Sequence, residues 1–181
     1  MFLVKSESGQ YGTAALVRLR EDRDVHCLVA SSHLFPSIDQ LSTTSIFMPR
    51  AENEEHLLRE RVQKAWIDKR RDLVFVELTS AGLWWSIAGG VKAHTLASHV
   101  IKGSTVTNVR RQGPDGPEER NQVNVKSVQQ HTLQLNKAID DGILLDSDNL
   151  FLGCVVAKNK VSYFLADSTD NAHTRTSICA R

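Results

Sequence analysis

The sequence is poor in the residues that staple, punctuate or break small proteins. It holds three cysteines, ten glycines and four prolines in 181 residues. Cys27, Cys154 and Cys179 are odd in number and far apart, and none lies in a CxxC or CxxH spacing, so neither a structural zinc site nor a disulfide framework is expected. That cysteine usage fits a reducing compartment, and the expected location is intracellular, in the cytoplasm. Long apolar runs are also missing. No stretch approaches the roughly 18 apolar residues of a membrane helix, so no membrane insertion is expected. The apolar run that opens MFLVKSESGQ is too short for a signal-peptide core. An excess of one charge is absent too. Lys plus Arg number 22 against 21 Asp plus Glu, a net charge of +1. A polyanion binder normally carries a basic stripe, so no nucleic-acid partner is expected. The basic cluster Arg59, Arg61, Lys64, Lys69, Arg70 and Arg71 is offset by Glu52, Glu54, Glu55 and Glu60 and reads as a solvated face.

What is present is ordinary for a folded domain: 41% hydrophobic and 24% charged residues. The length suits one large domain or two small ones at roughly 100–200 residues per domain. Most of it reads as short strands. Thr13–Leu19 and Asp24–Ala30 are joined by the charged turn Arg20–Arg23, a hairpin pattern. Asp72–Leu78, DLVFVEL, is apolar almost throughout and predicts a buried strand. Ser45–Met48, Val100–Arg110, Asn121–Val128, Thr132–Leu135, Ile143–Leu145, Phe151–Ala157 and Val161–Leu165 continue the series. Glu52–Lys64 is rich in helix formers and predicts a helical turn followed by a strand. Thr79–Gly90 shows no clear period and reads as a connection, Gly113–Glu119 as a loop, and the polar stretch from Asp167 as a surface tail or terminal helix. Many short strands with little helix predict an all-β sandwich or barrel.

Two features carry chemistry together. Ala30-Ser31-Ser32-His33 ends a strand in a histidine, and Asp72 opens the strand DLVFVEL. A carboxylate beside an imidazole fixes its tautomer and stabilises its charged form. Here the chain resembles the trypsin/chymotrypsin-like serine proteases, in particular their compact HtrA-like members. Ala30–His33 resembles the family's T-A-x-H, and Asp72–Leu78 resembles its D-[IL]-A-L-[LV]-x-[LIV]. Gly12-Thr13-Ala14-Ala15-Leu16-Val17 is similar to the first barrel strand, G-[ST]-G-F-[LIV]-[LIV]. Asp141–Gly153 resembles the block S-G-G-P-L-[LV], turn, [LIV]-[LIV]-G-[LIV], and Ser162–Ala166 the strand after it. The resemblance spans roughly residues 9–168. It implies an all-β fold of two six-stranded antiparallel β-barrels, the chymotrypsin-like double barrel, with a few short helices. It further implies one trypsin-like domain over residues 1–181: an N-terminal barrel at about 9–80, a connection at 81–95, a C-terminal barrel at 96–168 and a tail at 169–181.

The nucleophile of that family is missing. Counting back from Gly153 places the serine slot at Asp140, or at Asp141 with a slip of one residue. Neither offers a hydroxyl or thiol that His33 could deprotonate. A carboxylate there would also set negative charge beside the N–H groups that should hold an oxyanion. The glycine expected before the nucleophile is Ala138, while Gly142 remains near the place of the second. Asp140 could instead pair electrostatically with His33 in a structural role. Ser147 reads as a turn residue in DSDN, and Cys154 and Cys27 read as buried strand thiols. His26 reads as an outward or hairpin-capping residue. His94, His99, His131 and His173 show no metal-ligand spacing, so no metal and no cofactor are implied. The expectation is a catalytically inactive trypsin-like domain, with His33, Asp72 and Asp140 as a degenerate triad, working as a protein-interaction or structural module. The alternative is an active serine- or cysteine-type peptidase with an atypical nucleophile. A protein or peptide partner is expected. Trp84 and Trp85 are candidate partner anchors, since tryptophan is enriched at interface hot spots, or else they plug the junction between the barrels.

Overall fold

The computed structural model describes residues 1–20, 25–34, 37–48, 51–57 and 62–166. The turn expected after Arg20, the charged residues Arg59, Glu60 and Arg61, and the segment from residue 167 onward, with His173 and Cys179, lie outside the described residues.

Seven strands form a curled sheet in the order β5-β4-β1-β2-β3-β7-β6. They are β1 (Phe2–Lys5), β2 (Tyr11–Arg20), β3 (Val25–Ser31), β4 (Ser45–Met48), β5 (Ala51–Leu57), β6 (Val62–Asp68) and β7 (Leu73–Leu78). After the helix α1 (Ser80–Ala88), β8 (Ala93–Thr95) adds to β2 in parallel, pairing Val17 with His94. The remaining strands are β9 (Thr105–Arg110), β10 (Glu119–Val128), β11 (Thr132–Leu135), β12 (Ile143–Leu145), β13 (Phe151–Ala157) and β14 (Lys160–Tyr163). They close into a six-stranded antiparallel barrel in the order β10-β11-β14-β13-β12-β9. The two-barrel architecture is therefore present. In detail, the N-terminal half is an eight-stranded sheet curled into a half-barrel among the described residues, and the C-terminal half is the closed six-stranded barrel.

The near-continuous apolar runs have a physical reason. Side chains alternate across a strand. On β2, Ala14 and Leu16 fill the N-terminal half-barrel, while Ala15, Val17 and Leu19 face the other way. On β7, Val74 and Val76 point inward, and Leu73 and Phe75 point outward. The outward sets meet Val109, Ile143, Phe151 and Phe164 of the C-terminal barrel. Strands sandwiched between two cores have no wet face, so they carry no polar alternation. At this junction Trp66 stacks on Phe75 (centroids 5.7 Å, planes 9° apart), and Phe164 lies 5.7 Å from Phe75 and 5.8 Å from Phe151. This aromatic ladder, not the Trp84-Trp85 pair, fills the space between the barrels.

One local expectation is overturned. Residues 51–57 are strand β5, paired through Ser45↔Leu57 and Ile46↔His56, where a helical turn was expected. Helix propensity differs by less than about 1 kcal/mol per ordinary residue, and cross-strand pairing outweighs it. The connection Thr79–Gly90 holds the helix α1 (Ser80–Ala88). Thr79 caps it by accepting the Gly82 N–H at 3.0 Å, and Gly90 ends it at φ +94°. The helix escapes periodicity because its exposed face carries Trp84 and Ile87 in place of polar residues.

Candidate functional site

The antiparallel pairing of β3 with β7 sets Ser31 opposite Leu73, so the end of β3 lies beside the start of β7. The Ser32 N–H donates to the Asp72 carbonyl at 2.9 Å. Asp72 occupies the left-handed region at φ +54°, a conformation that costs a non-glycine residue energy and turns its carboxylate back toward β3. There it accepts a hydrogen bond from the Ser32 hydroxyl. His33 sits on a single 3-10 turn, Ser32–Leu34, with an exposed side chain. Its Nδ1 lies 2.5 Å from the Ser31 hydroxyl oxygen. His33 and Asp72 are thus brought to one place, but each is partnered by a serine and not by the other. A hydroxyl can orient an imidazole, yet it lacks the charge with which a carboxylate stabilises the imidazolium. The adjacent serines of Ser31-Ser32-His33 were the sequence signal for this arrangement, and reading them as small strand-end residues missed it.

The third position comes from the C-terminal barrel. Asp141 precedes Gly142, which adopts φ +117° at the entrance to β12. A Cβ on Gly142 would meet Asn108 Nδ2 and the Val109 carbonyl, each at 2.6 Å. Asn108, fully buried, donates Nδ2 to the carbonyls of Asp141 at 3.1 Å and Ile143 at 3.4 Å. This clamp turns Asp141 inward and leaves Asp140 exposed. The Asp141 carboxylate accepts from the Thr13 hydroxyl at 3.4 Å, and the Thr13 oxygen accepts the Arg111 N–H at 3.2 Å. Burial raises the Asp141 pKa above the usual aspartate value. The backbone N–H groups of Gly142 and Thr13, the Thr13 hydroxyl and the positive charge of nearby His33 oppose that rise. Of the two adjacent aspartates, Asp141 is the one bonded across the junction to Thr13, and Asp140 is exposed.

The other candidates lie elsewhere. Cys154 is buried in β13 with its Sγ 3.9 Å from the Val29 carbonyl, and burial, reinforced by Asp141, pushes its thiol pKa far up. Such a thiol supplies no thiolate near neutral pH. Cys27 is buried in the inter-barrel cluster. Ser147 is exposed in the β12–β13 turn, at the far end of β12 from Asp141, where Asp146 caps the N–H groups of Asp148 and Leu150. Trp84 is 73% exposed. Trp85 packs on the N-terminal core and meets the edge of His56, ring centroids 4.8 Å apart. His99 contacts Ser98, and His131 contacts buried Arg71 at 3.1 Å. Among the described residues, no group of three His, Cys, Asp or Glu side chains is placed to hold a metal ion.

No protein-family model matches the sequence, and no curated protein matches it. Solved structures do. Kallikrein-related peptidase 10, in a complex with Zn2+, is similar over 99% of this chain and 95% of its own, with a TM-score of 0.60 and 10% identity. Deg5 is similar over 90% of this chain and 82% of its own, with a TM-score of 0.58 and 14% identity. The serine protease domain of the Sesbania mosaic virus polyprotein is similar over 89% and 86%, with a TM-score of 0.53 and 16% identity. The fold is chymotrypsin-like. Identities this low speak for the fold and leave the chemistry to the site. No helix among the described residues is long and apolar enough to cross a membrane.

Proposed function

We propose that this chain is a catalytically inactive trypsin-like domain that works as a protein- or peptide-binding module. The observation that carries the reading is the Asp141 carboxylate, held at the junction by Thr13 and Gly142 within the field of His33. Hydrolysis by this fold needs a hydroxyl or thiol there, and donors free to receive an oxyanion. In this chain a carboxylate, Asp141, lies there instead, its charged form favoured by the neighbouring Gly142 N–H. Asp72, spent on Ser32, gives no direct support to the imidazole. What remains for binding are the outer strands β5 and β6 of the open sheet, to which a strand can add, and the exposed ring of Trp84 as an anchor. Incubation with a fluorophosphonate probe and a mixed peptide library tests the reading. No labelling and no turnover above a denatured control are expected, and robust turnover lost on His33→Ala would overturn it.

A second reading has one observation in its favour, the short contact between the Ser31 hydroxyl and His33 Nδ1. A serine beside an imidazole is the start of an activated nucleophile. Against it, Ser31 is only 5% exposed. Probe labelling that maps to Ser31 and disappears in Ser31→Ala would establish this reading in place of the first.

A further inference from the structure

A cavity of about 250 Å³ lies where the chain passes from one barrel to the other, between β8 and the β9–β10 hairpin. Its charged lining is the Met1 amino group, Lys92, Arg111, Arg120 and Glu118, with His94 beside them. Val109, Ile143 and Leu145, each about 1% exposed, supply apolar wall. Arg111 is the unusual member. It is only 6% exposed, and its guanidinium donates to two carbonyls, Gly116 at 3.3 Å and Pro114 at 2.7 Å. Among the described residues no carboxylate pairs with it. Glu118 faces Arg120 instead, at 3.7 Å. A buried cation without a counter-charge is costly, and neutral carbonyls compensate only part of that cost. The imidazole of buried His94 shares its Nδ1 with the Asn149 carbonyl at 3.3 Å, and among the described residues its other nitrogen has no hydrogen-bond partner. Four cations, the Met1 amino group among them, against one carboxylate, around partly apolar walls, describe a receptor for negative charge on an apolar stem.

We propose that this cavity binds a small amphipathic monocarboxylate, with its headgroup at Arg111 and its stem against Val109, Ile143 and Leu145. The volume sets the size. It exceeds the ~150 Å³ that accepts benzene and falls below the ~300 Å³ at which drug-sized pockets begin. A dianion is disfavoured by Glu118 at the same wall. The proposal does not depend on the reading given for the His33–Asp141 junction, to which Arg111 is tied only through its backbone N–H on Thr13.

The test is an NMR titration of the 15N-labelled protein with hexanoate, and with hexanol as the neutral isostere. Saturable shifts at residues 90–94 and 109–120 are expected, with hexanoate binding about tenfold tighter than hexanol, the worth of one charge-assisted hydrogen bond. Arg111→Gln removes the buried charge but can perturb the loop, so the exposed pair Lys92→Gln/Arg120→Gln is the second variant, with an expected loss of about fivefold. The His94 pKa is read in the same experiment. Burial lowers it first, and the Met1 amino group, Lys92 and Arg120 lower it further; bound carboxylate raises it. A dipeptide ending in leucine, as free acid and as amide, distinguishes the source. Binding of the free acid alone assigns a chain terminus, and binding of hexanoate without the peptide assigns a free carboxylic acid. Equal binding of hexanoate and hexanol, or shifts confined to other parts of the molecule, would overturn the proposal.

Discussion

At the scale of single residues, Asp141 is the buried carboxylate at the junction of the two barrels. Burial holds its pKa above the ordinary aspartate value near 3.8. The native state therefore binds this proton more tightly than the unfolded chain does. Linkage then lowers stability as pH rises from about 3.8 through the native pKa, and above that the penalty is constant. Asp141→Asn keeps an acceptor for the Thr13 hydroxyl and removes the charge. The expected outcome is a higher unfolding midpoint at pH 7, with the gain vanishing as pH falls below about 3.8; a midpoint lowered at pH 7 would refute it. Gly153 is constrained more tightly still. A Cβ there would collide with the Ser162 carbonyl, backbone that cannot rotate away. Gly153→Ala is expected to lower stability by about 2–4 kcal/mol, in the range of strongly destabilising core changes, as measured by denaturant unfolding. The thiols give a simpler check. Cys27 and Cys154 should resist alkylation in native buffer and react once the protein is unfolded, as peptide mass mapping would show.

At the scale of elements, α1 separates two neighbouring tryptophans by about 100° of helix rotation. Trp85 falls against the core of the N-terminal half-barrel and Trp84 into solvent. Their truncations should therefore differ. Trp85→Ala is expected to cost about 2 kcal/mol, less than the ~3–5 for a fully buried aromatic, because the ring is only half-buried. Trp84→Ala should change stability by less than about 0.5 kcal/mol, the usual range for surface positions. Loss of partner binding in Trp84→Ala with an unchanged thermal midpoint would support the anchor role, and unchanged binding would remove it. The same element shows why local patterns mislead. The helix has no polar face to register as amphipathic, and β5 is written in helix formers yet pairs as a strand with β4.

At the scale of the whole molecule, the two barrels are joined by an apolar seam and by a few polar bridges. Phe164 is the centre of the seam, touching Phe75 from one side and Phe151 from the other. Phe164→Ala should destabilise by about 3–5 kcal/mol, since no side chain can collapse into the gap from both barrels at once. The bridges include Thr13 to Asp141, Arg71 to His131, and His94 to the Asn149 carbonyl. Burial lowers the His94 pKa, so the unfolded chain takes up this proton first as pH drops. Stability should fall as pH goes below about 6.5 toward the native His94 value, and His94→Gln should flatten that part of the profile. A profile identical in the variant would exclude His94 as the source.

The sequence by itself determined most of the strands, the all-β class and the identity of the two aspartates, Asp140 and Asp141, at the counted serine slot. Those follow from residue type and from apolar runs such as DLVFVEL, which no half-wet strand would carry. It also brought His33 and Asp72 into one motif order. Which group holds each of them, and which of Asp140 and Asp141 faces the junction, only the tertiary structure decided. Such choices turn on backbone geometry at single points, the left-handed Asp72 and the Gly142 entrance to β12. They turn also on contacts between residues far apart in the chain, such as Thr13 and Asp141. Counting along the chain cannot see a ladder slip of one residue, as occurs between Leu144 and Leu145, and one residue is enough to reverse the face to which a side chain points.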